Sequence, residues 1–159
     1  MEQKKLAIIA TKGSLDWAYP PLILGSTAAA LGYEVEIFFT FYGLQLLRKD
    51  LNLKVTPLGN PGMPMPMAMD KWFPTMLTAL PGMEWMMTAM MKNKMASKGV
   101  ASLEELRELS LEAEVRFIAC QMTVDLFEMD TKEFIDDVEY AGAARFFEFA
   151  GEADICLYI

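Results

Sequence analysis

Any chemistry in this chain has to proceed without imidazole. Histidine is absent from all 159 residues, which removes Ser-His and Cys-His dyads, the usual base near neutral pH and the commonest metal ligand. Two cysteines remain, Cys120 and Cys156. Cys120 follows the near-continuous apolar run Val115 to Ala119, so it stands where a buried strand ends. Most free cysteines are small buried hydrophobes, and that reading applies to Cys120 on position alone. Cys156 lies inside Ile155-Cys156-Leu157-Tyr158-Ile159, where core packing is the expected role and a redox pair with Cys120 the lesser alternative.

The other chemistry-bearing stretch is Lys12-Gly13-Ser14, after the first apolar run. Gly13-Ser14 could cradle an anion at a helix start, or it could be a tight turn with Ser14 or Asp16 capping the helix. It is neither a phosphate-binding Gly-Lys-Ser/Thr loop nor the three-glycine dinucleotide fingerprint. Lys12 is the basic candidate for stabilising a thiolate or an anionic sulfur species. Asp125 and Glu128 could handle protons, or could simply be solvated. Asp136, Asp137 and Glu139 have no basic or His partner, and no metal site is assigned.

These groups must be held by elements whose order is legible. Short apolar runs alternate with helical patterns, the signature of βαβ units and a mostly parallel sheet. Strands are expected at Leu6 to Ala10, Glu34 to Thr40, Lys54 to Leu58, Val115 to Ala119 and Ile155 to Ile159. Helices are expected at Pro21 to Leu31, with Gly32 as C-cap, and at Tyr42 to Lys49. Another runs from a Ser102 N-cap with Glu105 at the capping-box position to Leu111. A helical turn is expected at Gln121 to Phe127, another at Thr131 to Asp136, and a helix at Gly142 to Ala150. A helix starting directly after Cys120 turns its unpaired N–H groups toward the sulfur and favours thiolate over thiol.

Composition bounds the rest. The length suits one domain, residues 1–159, with an insertion over about 60–95. Between Pro57 and Met95 lie six of the eight prolines and eleven of the fourteen methionines, which marks that segment as distinct. From Trp72 to Met91 one charge, Glu84, interrupts twenty residues, nearly a bilayer's span. The flanking strands must join one sheet, however, and a returning hairpin needs about 40 apolar residues. Two short helices covering a neighbouring subunit or partner are the expected form, with peripheral membrane contact a minority alternative. The net charge of −8 disfavours nucleic acid. The apolar run Leu6 to Ala10 is too short for a signal-peptide core, and two cysteines without a framework read as reduced thiols in the cytoplasm.

Three stretches resemble the DsrE/DsrF/DsrH-like family, in its DsrE2-type branch of sulfur-trafficking proteins: Ala10 to Pro20, Ala119-Cys120-Gln121-Met122-Thr123-Val124-Asp125, and Val138 to Ala144. The resemblance implies a flavodoxin-like three-layer α/β fold of about five mostly parallel strands with a Met/Pro-rich helical insertion. It also implies homo-oligomers and a cysteine, here Cys120, that accepts sulfane sulfur as a persulfide and hands it to a partner thiol. A small sulfur-carrier or redox protein is the implied donor or acceptor. No cofactor is assigned, and the chain reads as a sulfurtransferase-like carrier. That function requires the Cys120 sulfur to be exposed and ionised at the mouth of the sheet, with Lys12, Gly13 and Ser14 as contacts for an anion or sulfur species. Two competing expectations are a flavodoxin-like flavin or nucleotide module using residues 11–14, and a non-catalytic adaptor acting through the methionine-rich insertion.

Overall fold

A computed structural model describes residues 3–56 and 80–159. Five strands form one sheet in the order β4-β3-β2-β1-β5, every neighbouring pair parallel. The elements that build it are β1 (Lys5–Ala10), α1 (Leu15–Ala30), β2 (Glu34–Phe39), a 3-10 helix (Phe41–Leu47), α2 (Met83–Ser97) and α3 (Leu103–Glu112), followed by β3 (Arg116–Cys120), α4 (Gln121–Leu126), β4 (Glu139–Ala141), α5 (Ala143–Ala150) and β5 (Ile155–Tyr158).

The residues divide into two compact units. The first holds Met1–Gly13, Trp17–Leu53 and Ala101–Ile159, and the second Ser14–Asp16 with Lys54–Val100. In the first unit strand alternation sends side chains to two faces. On one face Ala7, Phe38, Ile118 and Cys120 pack with Phe146 and Phe149 of α5. On the other, Ile37 meets α1 where Gly25 leaves room for its side chain. Helices thus cover both faces, the three-layer arrangement a parallel sheet requires.

Glu36 is fully buried on the α5 face. A carboxylate there is tolerable only because it is paired. Arg145 of α5 donates to it through Nη2 at 3.0 Å and Nη1 at 3.3 Å, and Arg116 Nη2 lies at 3.0 Å. Arg116 also pairs with Glu34, and Arg145 Nε with Glu139 at 2.9 Å. Bonding to Glu36 holds the Arg145 guanidinium pKa above its usual value. The cluster ties α5 to β2, β3 and β4.

α3 begins as its sequence dictates: Glu105 N–H donates to Ser102 Oγ at 3.1 Å, and Ser102 N–H to Glu105 at 2.8 Å. α1 differs from expectation, because it starts at Leu15 and carries Pro20 and Pro21 inside. The expected strand over Lys54 to Leu58 forms no ladder at 54–56, and 57–58 lie outside the described residues. Within the second unit, Lys54 C=O accepts from Leu15 N–H at 2.7 Å, Val55 N–H donates to Thr88 Oγ1 at 3.1 Å, and Thr56 N–H to Asp16 at 3.0 Å. Those three backbone groups bond to partners outside any ladder, which diverts them from strand pairing. The sheet instead gains β4, a three-residue strand.

Of the two helices expected in the insertion, α2 is present and the remainder falls outside the described residues. Trp85, Met86 and Met90 of α2 are exposed, while Thr88 is buried and donates to Glu84 C=O at 2.7 Å. Among the described residues, no helix is long and apolar enough to cross a membrane, and no group of three or more Cys, Asp or Glu could hold a metal ion.

Candidate functional site

Cys120 is the last residue of β3 and the N-cap of α4. Its neighbours follow from the registers. Phe39 pairs with Ala119, which sets Thr40 beside Cys120 at the end of β2, and Cys120 itself pairs with Ala141 of β4. The cysteine therefore lies at the carboxyl edge of the sheet, where loops of parallel sheets converge on ligands.

Cys120 is buried, 5% exposed as a residue, which corrects the expectation of a sulfur open to solvent. Flanking strands on both sides and the aromatic rings of α5 enclose it. Its surroundings are apolar on the α5 side, with donor groups of Thr40, Met122 and Thr123 close by. Burial alone would push the thiol pKa up. Donor groups close by, the Thr123 hydroxyl and N–H, the Thr40 hydroxyl and Met122 N–H, outweigh that and leave it below the ordinary thiol value, although the Cys120 side chain makes no cap hydrogen bond to the first amides of α4. Thr123 is itself fully buried; its Oγ1 lies 3.2 Å from Thr40 Oγ1 and accepts from Phe41 N–H at 3.4 Å. A low dielectric strengthens such bonds, and donors aimed at sulfur stabilise the anion.

Lys12, Gly13 and Ser14 are engaged in ways that describe a built turn. Lys12 Nζ sits 3.2 Å from the centroid of the Trp17 ring, a cation–π contact. The groups that move the Cys120 thiol are hydroxyls and amides, and Lys12 is not one of them. A Cβ on Gly13 would come 2.3 Å from Tyr42 O, and one on Gly43 2.1 Å from Ala10 O. Glycine at both positions lets the loops after β1 and β2 touch. In the second unit, Ser14 Oγ lies 3.1 Å from Thr56 Oγ1. Thr11 donates through N–H at 2.9 Å and Oγ1 at 3.0 Å to Ile159 O, closing the ends of β1 and β5 where the strand order reverses.

Cys156 is exposed on β5, not packed in the core. Among the described residues β5 is an edge strand, and both cysteines are free. Three strand spacings, about 14 Å, separate β5 from β3, well beyond the Cα separation that a disulfide spans. Asp125 accepts from Gln121 Nε2 at 2.7 Å, and Asp125 and Glu128 are exposed.

Two residues that matter most to the thiol, Thr40 and Thr123, carry no signal as single positions. Thr123 stands three residues after Cys120, at N3 of the helix that Cys120 caps, though the cysteine side chain makes no cap hydrogen bond there. Thr40 becomes relevant only through the β2–β3 register.

The model of the DsrE/DsrF/DrsH-like family matches residues 2–158. The chain belongs to this family. Among relatives in the DsrE/DsrF/DrsH-like family, the chain is 82% identical over 159 residues, 100% of each, to the "Sulfur carrier protein DsrE2" of Allochromatium vinosum. It is 34% identical over 164 residues, 99% of this chain and 98% of the other, to the "Uncharacterized protein YrkE" of Bacillus subtilis. A solved structure, the ychN protein from E. coli, superposes with a TM-score of 0.57 at 12% identity, covering 99% of this chain and 100% of that one. At that identity the likeness concerns the fold alone, and it agrees with the three-layer α/β architecture.

Proposed function

We propose that this chain is a sulfur carrier that loads sulfane sulfur onto Cys120 as a persulfide and passes it to a partner thiol. The reading is carried by one observation: a thiol stands at the carboxyl end of a central parallel strand, at the start of α4, among donor groups of Thr123, Thr40 and Met122 whose effect on its pKa outweighs that of burial. The 82% identity to a protein named sulfur carrier supports it along the full length. In loading, the Cys120 thiolate attacks the outer sulfur of a donor persulfide, R–S–SH. A new S–S bond forms as the old one breaks, giving Cys120–S–SH and RS⁻ with no oxidant consumed. The partner is a protein bearing a cysteine persulfide or thiol. Two free thiols suit a reducing compartment, the cytoplasm. The bare apolar side chains Ile155 and Tyr158 on β5 suit assembly into homo-oligomers.

The flavin or nucleotide reading is not favoured, because the Thr11 to Gly13 turn is filled by its own contacts. Incubation with a persulfide donor and intact-mass measurement test the proposal. Wild type and Cys156→Ser should gain one sulfur atom, and Cys120→Ser should gain none. An adduct that survives Cys120→Ser refutes the assignment.

A further inference from the structure

The described residues around Cys120 include an exposed apolar platform for which carriage on a single thiol gives no reason. Phe41 and Tyr42, at the start of the 3-10 helix, both contact Phe127 just after α4: the Phe41 ring is edge-on at 6.2 Å and the Tyr42 ring stacked at 6.0 Å. Met122 and Leu126, one helical turn apart on the adjoining α4, are exposed apolar side chains as well. All five are exposed, Tyr42 by 65% and Phe127 by 43%. Large apolar groups clustered on a surface mark a contact site.

The platform is built into the thiol's own hydrogen-bond set. Phe41 N–H donates to Thr123 Oγ1, the hydroxyl that helps hold the Cys120 pKa down. Phe41 has φ +48°, a left-handed conformation that a bulky side chain adopts only when its surroundings enforce it, and such outliers gather at functional sites. The backbone beneath is fixed by the close approach of Gly13 to Tyr42 O and of Gly43 to Ala10 O. A rigid aromatic seat thus starts one residue beyond Thr40, which the β2–β3 register sets beside the buried Cys120.

We propose that Phe41, Tyr42, Phe127, Met122 and Leu126 seat the cysteine-bearing segment of the protein that exchanges sulfur with Cys120, an apolar segment flanked by basic residues. This rests on the carrier reading, since exchange demands that a second sulfur approach the buried one directly. The basic character follows from charge. The ionisable residues on α4 and the turn after it, Asp125, Glu128 and Asp130, are all acidic, and the chain carries −8. A second copy placed face to face would set those carboxylates against their equivalents, whereas lysines beside the incoming cysteine would be drawn in. In the unloading step the incoming thiolate bonds to the outer sulfur of Cys120–S–SH. The electron pair of the broken S–S bond returns to Cys120 as thiolate, so atoms and charge balance.

The test uses full-length protein loaded as the Cys120 persulfide. Acceptors are a synthetic apolar cysteine peptide flanked by lysines, the same peptide flanked by glutamates, and 2-mercaptoethanol, with transfer followed by mass. Wild type should react several-fold faster with the lysine peptide than with the glutamate peptide. Tyr42→Ala/Phe127→Ala should slow transfer to the lysine peptide about tenfold while its rate with 2-mercaptoethanol and its thermal midpoint stay near wild type. Equal peptide rates in variant and wild type overturn the platform, and equal rates for the two peptides overturn its basic partner. A variant that changes the sedimentation mass with peptide transfer intact shows an interface between copies instead. If wild type never loads sulfur, the carrier reading falls, a result visible before any acceptor is added.

Discussion

Thr40 and Thr123 face each other across the end of the β2–β3 ladder, hydroxyl oxygens 3.2 Å apart, with Cys120 in reach of both. The pair replaces the base that this histidine-free chain lacks. It lowers the proton affinity of sulfur by offering donors, and it removes no proton itself.

Thr123→Val removes the hydroxyl donor while keeping shape. Hydrogen bonds to charged groups are worth about 1.5–3 kcal/mol, so alkylation of Cys120 near neutral pH should slow about tenfold or more. The midpoint of its pH–rate curve should move up, and Thr123→Ser should restore it. An unchanged curve removes the hydroxyl from the account.

A thiol whose folded pKa lies below its unfolded one stabilises the fold when ionised. That contribution is fully present above the unfolded value, about 8.5, and is lost as pH falls through the folded value. Urea titrations should therefore show the advantage of wild type over Cys120→Ala growing as pH rises toward 8.5. A difference that is flat with pH contradicts a thiol pKa below the ordinary value.

Arg145→Met strips the buried Glu36 carboxylate of its bidentate partner and leaves Arg116 alone to hold it. The expected loss is about 2–4 kcal/mol in denaturant unfolding. Glu36→Gln in the Arg145→Met background should recover part of it, because the uncompensated charge is gone.

Gly43→Ala forces a methyl against Ala10 O, a backbone atom 2.1 Å away. Neither loop can give way cheaply, and a loss of about 2–3 kcal/mol is expected. Ser102→Ala, which opens the α3 capping box, should cost about 1 kcal/mol.

The elements legible in sequence are those whose reasons are local. β1, β2 and β3 announce themselves as apolar runs, and α3 by Ser102 with Glu105. β4 did not, because Glu-Tyr-Ala is short, mostly exposed and without a run; it is a strand only because β3 offers its edge. Lys54 to Leu58 looked like a strand, yet through Thr56 its backbone bonds elsewhere. Pro20 and Pro21 argued for a late helix start, whereas α1 continues through both. The place of Cys120 at a strand end was legible, but its burial and its threonine neighbours depend on register, which a single sequence does not display. Cys156 misled for the opposite reason: an apolar strand suggests a core, while its place in strand order makes it an edge.

Cys120 belongs to a ladder and to a helix start at once, with β2 and β4 pinning the main chain on either hand. If, as proposed, an atom of sulfur is added there, the backbone has nowhere to retreat. Side chains must make the room, so amide resonances of the central sheet should hold still through a loading cycle while methyl and ring signals of Thr123, Phe146 and Phe41 shift.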